Sequence, residues 1–478
     1  MFFYSPNYLV FFILMLIPFF IFKRNRMLII AVANVIFYSA AQVEGANGLA
    51  WLLLFMFMCL ITFISVHMMR KPGWSWIFWV GIGLNVFNLV FYKYTFFALS
   101  TIESLAGIQI GFTQSAETLS KILPLGISFY TFEFISYLID VRRGRSMPTK
   151  SFLSFWVFVS TFPHLIAGPI MRGDELLPQI QDLRNKRIPW SEIKYGLYLI
   201  LIGLIKKVVI ADNISPLANA IFDKGTTMTG TESWIGSYAF TFQIYYDFSA
   251  YTDLAIGCGI IMGLRFADNF RTPYLSKSPQ EFWNRWHITL SRWIRDYIYI
   301  GLGGNRKGAV RTYINLFAAM VISGLWHGAN WTFILWGALW GALLVVHRLS
   351  LLLNRWTLVK KVRESLVYRI LAIAVFFHVI VWTWVFFRAK DVSQAITMTW
   401  KMIHALPSNI LHAPEFGWIA LLFLMHIVEY LLRTYENSIS RVWHVIPFPI
   451  RSICYLGIVF LLIYFLKGEK YDFIYFQF

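Results

Sequence analysis

A histidine at position 327 stands inside an apolar stretch, where an ionisable side chain is costly to bury. The segment SGLWHGANWTF, residues 323–333, separates two nearly uncharged runs, and ionisable groups in such surroundings are usually paired or functional. Gly324 and Gly328 have the spacing that lets a second helix approach closely. We interpret His327 as a candidate general base and expect Asn330 to orient one of its ring nitrogens. A histidine that only hydrogen-bonds across helices is the alternative.

A second polar stretch, residues 280–306, combines tryptophans with a histidine, a serine and arginines. Its pattern predicts one helix that ends at the glycine pair 303–304. Three tryptophans share one face of that helix, and a line of polar residues four positions apart shares another: His287, Ser291 and Arg295. Such a helix is suited to lining a cavity where apolar protein meets a polar ligand. The alternative is an interfacial helix whose arginines meet lipid phosphates.

A third stretch, residues 243–257, places Asp247 and Asp253 inside an apolar run. Six positions apart on a helix, the two carboxylates point in different directions, so they do not form a carboxylate pair for catalysis. We expect each to have its own partner, for example an arginine of the 285–306 segment. Asp247 is also a candidate for orienting a histidine, and a purely structural ion pair is the alternative for either residue.

Composition places most of this chain in lipid. Of its 478 residues, 58% are hydrophobic and 14% are charged, and runs nearly free of charge recur along the whole length. Since a helix needs about 20 apolar residues to cross a membrane, we predict an all-α, polytopic membrane protein with about 11 to 13 transmembrane or re-entrant helices. We expect one membrane domain, residues 1–478, with its polar centre within about 122–340 and an aromatic tail at 467–478.

The net charge of +18 does not indicate nucleic acid binding, because the basic residues form short clusters between apolar runs and no stripe. Clusters follow the first, third and fifth runs, at 23–26, 70–71 and 142–145, whereas the loop at 41–49 has none. Positive loops stay in the cytosol, so this alternation predicts an N-terminus outside it.

Metal chemistry is not expected from the sequence. The three cysteines lie far apart within apolar runs, which suggests neither a disulfide framework nor a zinc site. His287 and His327 are 40 positions apart, and no second carboxylate and histidine set accompanies them. The chain also has no P-loop, HExxH or GxSxG motif.

Five segments together resemble the membrane-bound O-acyltransferase superfamily, and specifically its bacterial branch of alginate O-acetyltransferases. The resemblance covers nearly the whole chain and is carried by LPLGISFYTF at 123–132, AGPI at 167–170, YYDFSAYTDLAIG at 245–257, FWNRWHITLSRWIRDYIYIGLGGNR at 282–306 and GLWHGANWTFILWG at 324–337. Any one of these motifs alone would be weak, whereas the set is highly specific.

The resemblance implies a ring of helices around a central funnel, with His327 as the catalytic histidine and His287 as its companion. Supporting positions on or beside the matching segments are Asn284, Ser291, Arg295, Trp326, Asn330 and Asp247. It implies acetyl-CoA or another acyl thioester as a donor substrate, with no permanently bound cofactor. It also implies a bacterial cytoplasmic membrane location and a separate extracytoplasmic partner resembling an SGNH hydrolase, because this chain contains no such domain.

The C-terminal sequence YDFIYFQF provides a candidate acyl carrier. Tyr475 stands in an aromatic run that is able to fold back and accept the acyl group transiently, although an aromatic interfacial anchor is the simpler interpretation. The predicted function is O-acetylation of an extracytoplasmic polysaccharide. The machinery that synthesises or secretes this polysaccharide is the predicted partner. Alginate-like glycans are favoured over peptidoglycan or cellulose, and a transporter or flippase for a lipid-linked glycan is the rival from another class.

Overall fold

The computed structural model describes residues 5–40, 48–466, 471, 473 and 474. Every regular element among them is a helix, as the composition predicts. By length and apolar composition, six of these helices are able to cross a membrane: Gly48–Met68, Gly308–His327, Trp331–Arg355, Leu366–Arg388, Phe416–Thr434 and Phe448–Phe465. The number is eight if each of two bent helix pairs counts as one span, Pro6–Ile21 with Lys23–Ala40 and Ile77–Lys93 with Thr95–Ala106. Several apolar runs therefore form shorter or bent helices.

The chain divides into two compact units. Unit 1 consists of Met1–Gly203 and Tyr251–Ala267, and unit 2 of Leu204–Ala250 and Asp268–Phe478. Beyond the spans and bent pairs already given, unit 1 holds the helices Thr113–Lys121, Ile127–Arg142, Phe152–Ser160, Phe162–Leu165, Gly173–Asp182 and most of Trp190–Leu204. Helix Gly230–Ile261 contributes residues to both units.

Two of the buried polar side chains in unit 1 are Arg26 and His164. Arg26 is buried, and its guanidinium donates to the backbone carbonyls of Phe19, Leu183 and Lys186. Its guanidinium therefore satisfies buried backbone carbonyls from two distant parts of the chain. His164 is buried as well and lies 3.4 Å from Glu133, while its other ring nitrogen meets the carbonyl of Phe158 at 3.1 Å. With both ring nitrogens engaged, His164 has the environment of a structural histidine.

Unit 2 holds the polar stretches singled out by the sequence. Besides the spans, its helices are Asp212–Phe222, Pro279–Trp283, Ile288–Trp293, Thr357–Glu364, Val392–Ile403, Pro407–Leu411 and Glu436–Val445. Two π-helical segments, Ile205–Ala211 and Ile294–Tyr299, carry charged residues. Single π-turns are rare and frequently accompany functional sites.

A tight helical hairpin positions the histidine motif. Helices Gly308–His327 and Trp331–Ser350 approach so closely that a Cβ on Gly324 would lie 2.9 Å from Cα of Gly337 and would also meet the carbonyl oxygen of Phe333. Small residues at such a crossing let two backbones pack directly. The close approach predicted for Gly324 is therefore confirmed, whereas Gly328 lies just beyond the helix in extended conformation.

The prediction of one continuous helix over residues 280–306 is wrong. The first helix ends at Trp283, and the next begins at Ile288 after a left-handed residue, His287, with φ of 41°. A π-helical segment and a turn then follow. Because the helix is interrupted at this residue, the four-residue spacing of His287, Ser291 and Arg295 does not put them on one face.

Candidate active site

His327 is the last residue of its helix and is enclosed by aromatic rings. Its side chain is buried, and ring centroids lie 5.1 Å away for both Trp336 and Phe387 and 5.0 Å away for Trp326. Trp336 itself stacks on Trp384. An imidazole in these surroundings is shielded from bulk water, which strengthens electrostatic interactions at the ring.

The left-handed backbone of His287 is held by hydrogen bonds from the two residues that follow it to Asn269. The amide of Ile288 donates to the carbonyl of Asn269 at 3.0 Å, and the hydroxyl of Thr289 donates to the Asn269 side chain at 2.7 Å. These bonds hold His287 left-handed, a conformation that costs a non-glycine residue about 1 to 2 kcal/mol. Strain of this kind clusters at functional sites, where the surrounding structure maintains it.

The side chain of His287 is fully buried, and among the described residues neither of its ring nitrogens has a hydrogen-bond partner. Burial lowers the pKa of His287 to about 3. The ring is therefore neutral near pH 7, so one nitrogen carries a hydrogen and can donate a hydrogen bond, while the other can accept one. A buried polar group without a partner is uncommon, and such a group is a candidate for contacting a ligand.

Trp326 joins the two histidines into one cluster. Its ring centroid lies 6.2 Å from that of His287 and 5.0 Å from that of His327. Phe248 closes the other side of His287 at 4.8 Å. The two histidines and the tryptophan that the sequence singled out are therefore brought together inside unit 2, although 40 positions separate the histidines.

A cavity of about 830 Å³ lies in the same unit and is walled by arginines. Its lining includes Arg271, Arg292, Arg295 and Arg348, together with Asn284 and Ser291. Arg271 and Arg295 pair with neighbouring aspartates, whereas Arg292 and Arg348 make no ion pair with any described residue. Three of the predicted supporting residues thus line a positively charged space.

The cavity approaches the histidine cluster through two of its lining residues. Ser323 lies one helical turn before His327, and the ring of Trp283 lies 5.8 Å from that of Trp336, which contacts His327. The prediction that the 280–306 segment lines a cavity between apolar and polar surroundings is consistent with this lining. The lining is produced by a broken helix and not by one polar face.

Asn330 does not orient His327. It is the N-cap of helix Trp331–Ser350, where its side-chain oxygen accepts from the amide of Thr332 at 3.0 Å. Its amide nitrogen donates to the carbonyl of Lys390 at 3.2 Å. Asparagine is among the preferred residues at this position because it satisfies a helix N–H that would otherwise have no acceptor. The predicted supporting role is therefore structural.

The sequence suggested an arginine or a histidine as the partner of Asp247. Among the described residues, its partner is a lysine. Its carboxylate lies 3.0 Å from the ammonium of Lys207 and accepts from the backbone amide of Ile474 at 2.7 Å. Neither Lys206 nor Lys207 was singled out by the sequence, yet both are buried.

Lys206 has a separate buried partner. Its ammonium lies 2.7 Å from Glu429, which also accepts from the hydroxyl of Tyr245 at 2.8 Å and pairs with Arg433. Glu429 lies beyond the polar centre expected at 122–340. Its role could not be inferred from local spacing, because two of its partners, Lys206 and Tyr245, are over 180 positions away from it in the chain.

Among the described residues, no group of three or more histidine, cysteine, aspartate or glutamate side chains is placed to hold a metal ion. Tyr475, the candidate acyl carrier, lies outside the described residues. Its neighbours Phe473 and Ile474 are described and buried.

Comparison with known proteins gives a consistent result. The model of the membrane-bound O-acyltransferase family matches residues 143–387. A probable alginate O-acetylase AlgI from Pseudomonas putida is 41% identical over 380 residues, covering 79% of this chain and 74% of that protein.

More distant relatives act on other envelope polymers. The peptidoglycan O-acetyltransferase of Helicobacter pylori is 35% identical, covering 82% of this chain and 78% of its own. The teichoic acid D-alanyltransferase of Bacillus subtilis is 28% identical over 56% of this chain and 69% of its own.

Proposed function

Because the chain belongs to the membrane-bound O-acyltransferase family, we propose that it moves acetyl groups from a cytosolic thioester across a bacterial cytoplasmic membrane for O-acetylation of a polysaccharide outside. Membrane O-acyltransfer to a polysaccharide is the activity common to its relatives' names. An alginate-like glycan is the favoured acceptor, because relatives at 41% and 39% identity are named probable alginate O-acetylases. Peptidoglycan is the second candidate, through the H. pylori relative.

The cluster of His287, Trp326 and His327 carries this proposal. Two buried imidazoles held by one tryptophan, beside a cavity with arginine walls, supply a proton acceptor and a place for an anionic substrate. Acyl transfer to a hydroxyl needs the hydroxyl proton removed as the oxygen attacks, and it needs the developing oxyanion stabilised. Histidine is suited to the first task near neutral pH.

In the proposed step, His327 takes the proton of the acceptor hydroxyl as its oxygen bonds to the thioester carbonyl carbon. The carbon–sulfur bond then breaks, and the thiolate leaves with the proton returned from the imidazolium. His287 donates a hydrogen bond to the carbonyl oxygen or positions the acceptor. The net change is one ester formed and one thiol released, with no oxidant, reductant or metal required.

The arginine-walled cavity is the proposed site for the polar part of a coenzyme A type donor. Arg292 and Arg348 are exposed in the cavity and have no acidic partner among the described residues. Arginine binds phosphate with charge-assisted, often bidentate hydrogen bonds. The donor then extends its acyl arm past Ser323 and Trp283 towards His327, while its charged part stays in polar surroundings.

Replacing Arg292 and Arg348 by glutamate is expected to raise KM for acetyl-CoA. The increase should be about tenfold or more, because a hydrogen bond to a charged group contributes ~1.5 to 3 kcal/mol. The turnover number at saturating donor should change little, since neither arginine contacts His327. Arg70→Glu, an exposed arginine in unit 1, is the matched control. Unchanged KM in the double variant would remove this cavity from donor binding.

The acceptor side of the reaction is proposed to involve partner proteins. We propose an extracytoplasmic acetyltransferase resembling an SGNH hydrolase, associated with the polysaccharide synthesis or secretion machinery and surrounded by membrane lipid. The N-terminus is proposed to lie outside the cytosol. Tyr475 remains a candidate for carrying the acyl group from the histidine cluster to that partner, and acylated tyrosine in tail peptides analysed by mass spectrometry is its test.

Membrane vesicles containing the protein and its partner distinguish the proposal from transport. Acetyl-CoA labelled in its acetyl group is supplied on the cytosolic face, and polysaccharide on the other face is analysed for labelled ester. We expect labelling that depends on both the protein and the donor. A transporter or flippase for a lipid-linked glycan would instead move the glycan without any acyl donor, and that result would overturn the proposal.

A further inference from the structure

A buried cluster of three charged residues lies beside the histidines in unit 2. The ammonium of Lys207 lies 2.8 Å from a carboxylate oxygen of Asp212 and 3.0 Å from one of Asp247. All three side chains are at most 6% exposed. Two carboxylates therefore share one ammonium, and burying the surplus negative charge requires further donors.

The C-terminal segment supplies those donors from its backbone. The amide of Ile474 donates to the second oxygen of Asp247 at 2.7 Å, and the amide of Tyr471 hydrogen-bonds Asp212. In return, Lys207 donates to the carbonyl of Tyr471 at 2.8 Å. Each member of the cluster thus holds the tail through main-chain atoms, which fixes its position whatever its side chains are.

The held segment lies one aromatic ring from the histidine cluster. The ring of Phe473 is buried, with its centroid 5.8 Å from that of Phe248, and Phe248 contacts His287 at 4.8 Å. Ile474 is fully buried as well. Phe473 and Ile474 are therefore part of the core next to the proposed catalytic centre.

We propose that Lys207, Asp212 and Asp247 form a tail latch, a set of positioning residues that hold the main chain of Tyr471 and Ile474 so that Phe473 packs against Phe248 and acyl transfer can proceed. The role in acyl transfer rests on the proposed function, whereas the docking of the tail does not. Glu133→Gln, which changes a buried carboxylate of unit 1 to its amide, separates the effect of losing a buried charge from that of releasing the tail.

Asp247→Asn is the variant that opens the latch with least damage. One oxygen of Asp247 lies 3.0 Å from the ammonium of Lys207, and the other accepts from the amide of Ile474. An asparagine loses the charge that strengthens both contacts and turns its amide group towards one of the two donors. Lys207 keeps Asp212 as a partner of opposite charge, and no buried charge is left alone. Ile474→Pro removes the same hydrogen bond from the tail side, with Ile474→Val as the control that keeps the amide.

Hydrogen exchange of the full-length protein, read by mass spectrometry on the C-terminal peptide, tests the docking. In Asp247→Asn and Ile474→Pro we expect tail amides to exchange about tenfold faster or more, because a buried, bonded amide is released. Glu133→Gln and Ile474→Val should leave tail exchange at the parent rate. Unchanged exchange in Asp247→Asn would overturn the latch, even if the protein had no acyltransferase activity.

Acetyl transfer by the same variants tests the positioning role. Both Asp247→Asn and Ile474→Pro should lower turnover about tenfold or more, and the double variant should be no worse than the stronger single one, because both remove one contact. Glu133→Gln should retain turnover near the parent value. A tail that exchanges rapidly while turnover stays at the parent level would overturn the positioning role and leave the docking intact. Absence of acetyl transfer in the parent protein would instead count against the proposed function.

Discussion

His327→Ala is expected to lower acetyl transfer by about 10² to 10⁴-fold, the usual contribution of a general base. The reason is that this ring, enclosed by Trp326, Trp336 and Phe387, is the proposed proton acceptor at the reacting hydroxyl. The measurement is initial rates of labelled acetyl ester formation by purified protein in vesicles. His327→Gln keeps a polar side chain of similar length and should be equally inactive, since an amide is not a base.

Thermal stability separates loss of chemistry from loss of fold in this experiment. We expect the thermal midpoint and membrane abundance of His327→Gln to remain near those of the parent protein. His164→Gln, in unit 1, changes a buried histidine whose ring is already engaged by Glu133 and Phe158. That variant should lower stability more than turnover per folded molecule. Parent-level acetylation by a stable His327 variant would show that the base is another group.

Gly324→Val is expected to produce the largest loss of folded protein. A side chain there would collide with the backbone of Gly337 and the carbonyl of Phe333, so the two helices of the hairpin must move apart. Overpacking a close-packed contact typically costs ~1 to 3 kcal/mol, and backbone atoms have little freedom to adjust. His327 follows one turn later, so turnover of the remaining folded molecules should fall as well. Thermal midpoints in detergent and turnover per folded molecule measure the two effects.

Gly83→Ala is the control for this substitution. Gly83 also lies within an apolar helix, Ile77–Lys93, but a Cβ there meets no atom within 4 Å. Alanine is favoured over glycine in a helix by about 1 kcal/mol, so this variant should be as stable as the parent or more so. If Gly324→Val also matched the parent midpoint, the close hairpin contact would not exist in the membrane.

The helical membrane class of the protein and the choice of His327 as the candidate catalytic residue follow from local sequence. An apolar chain with few charges has to form helices in lipid, because only internal hydrogen bonds satisfy the backbone there. His327 is conspicuous because a buried ionisable group is costly unless it has a function. Gly324 indicates a close helix contact because it has no side chain to keep a second backbone away. Each of these inferences uses properties of residues that lie within a few positions of each other.

Only the tertiary structure decided which groups meet. His287 interrupts its helix because Asn269, from a preceding loop, pins the residues after it, and no helical periodicity reports that contact. Asp247 finds its partners in Lys207 and in the backbone of Ile474, which is 227 positions away. A buried charge requires a partner, but residue types do not say which of many distant groups supplies it. That choice depends on how the helices pack, and it decides whether Lys207 belongs to a loop or to the core.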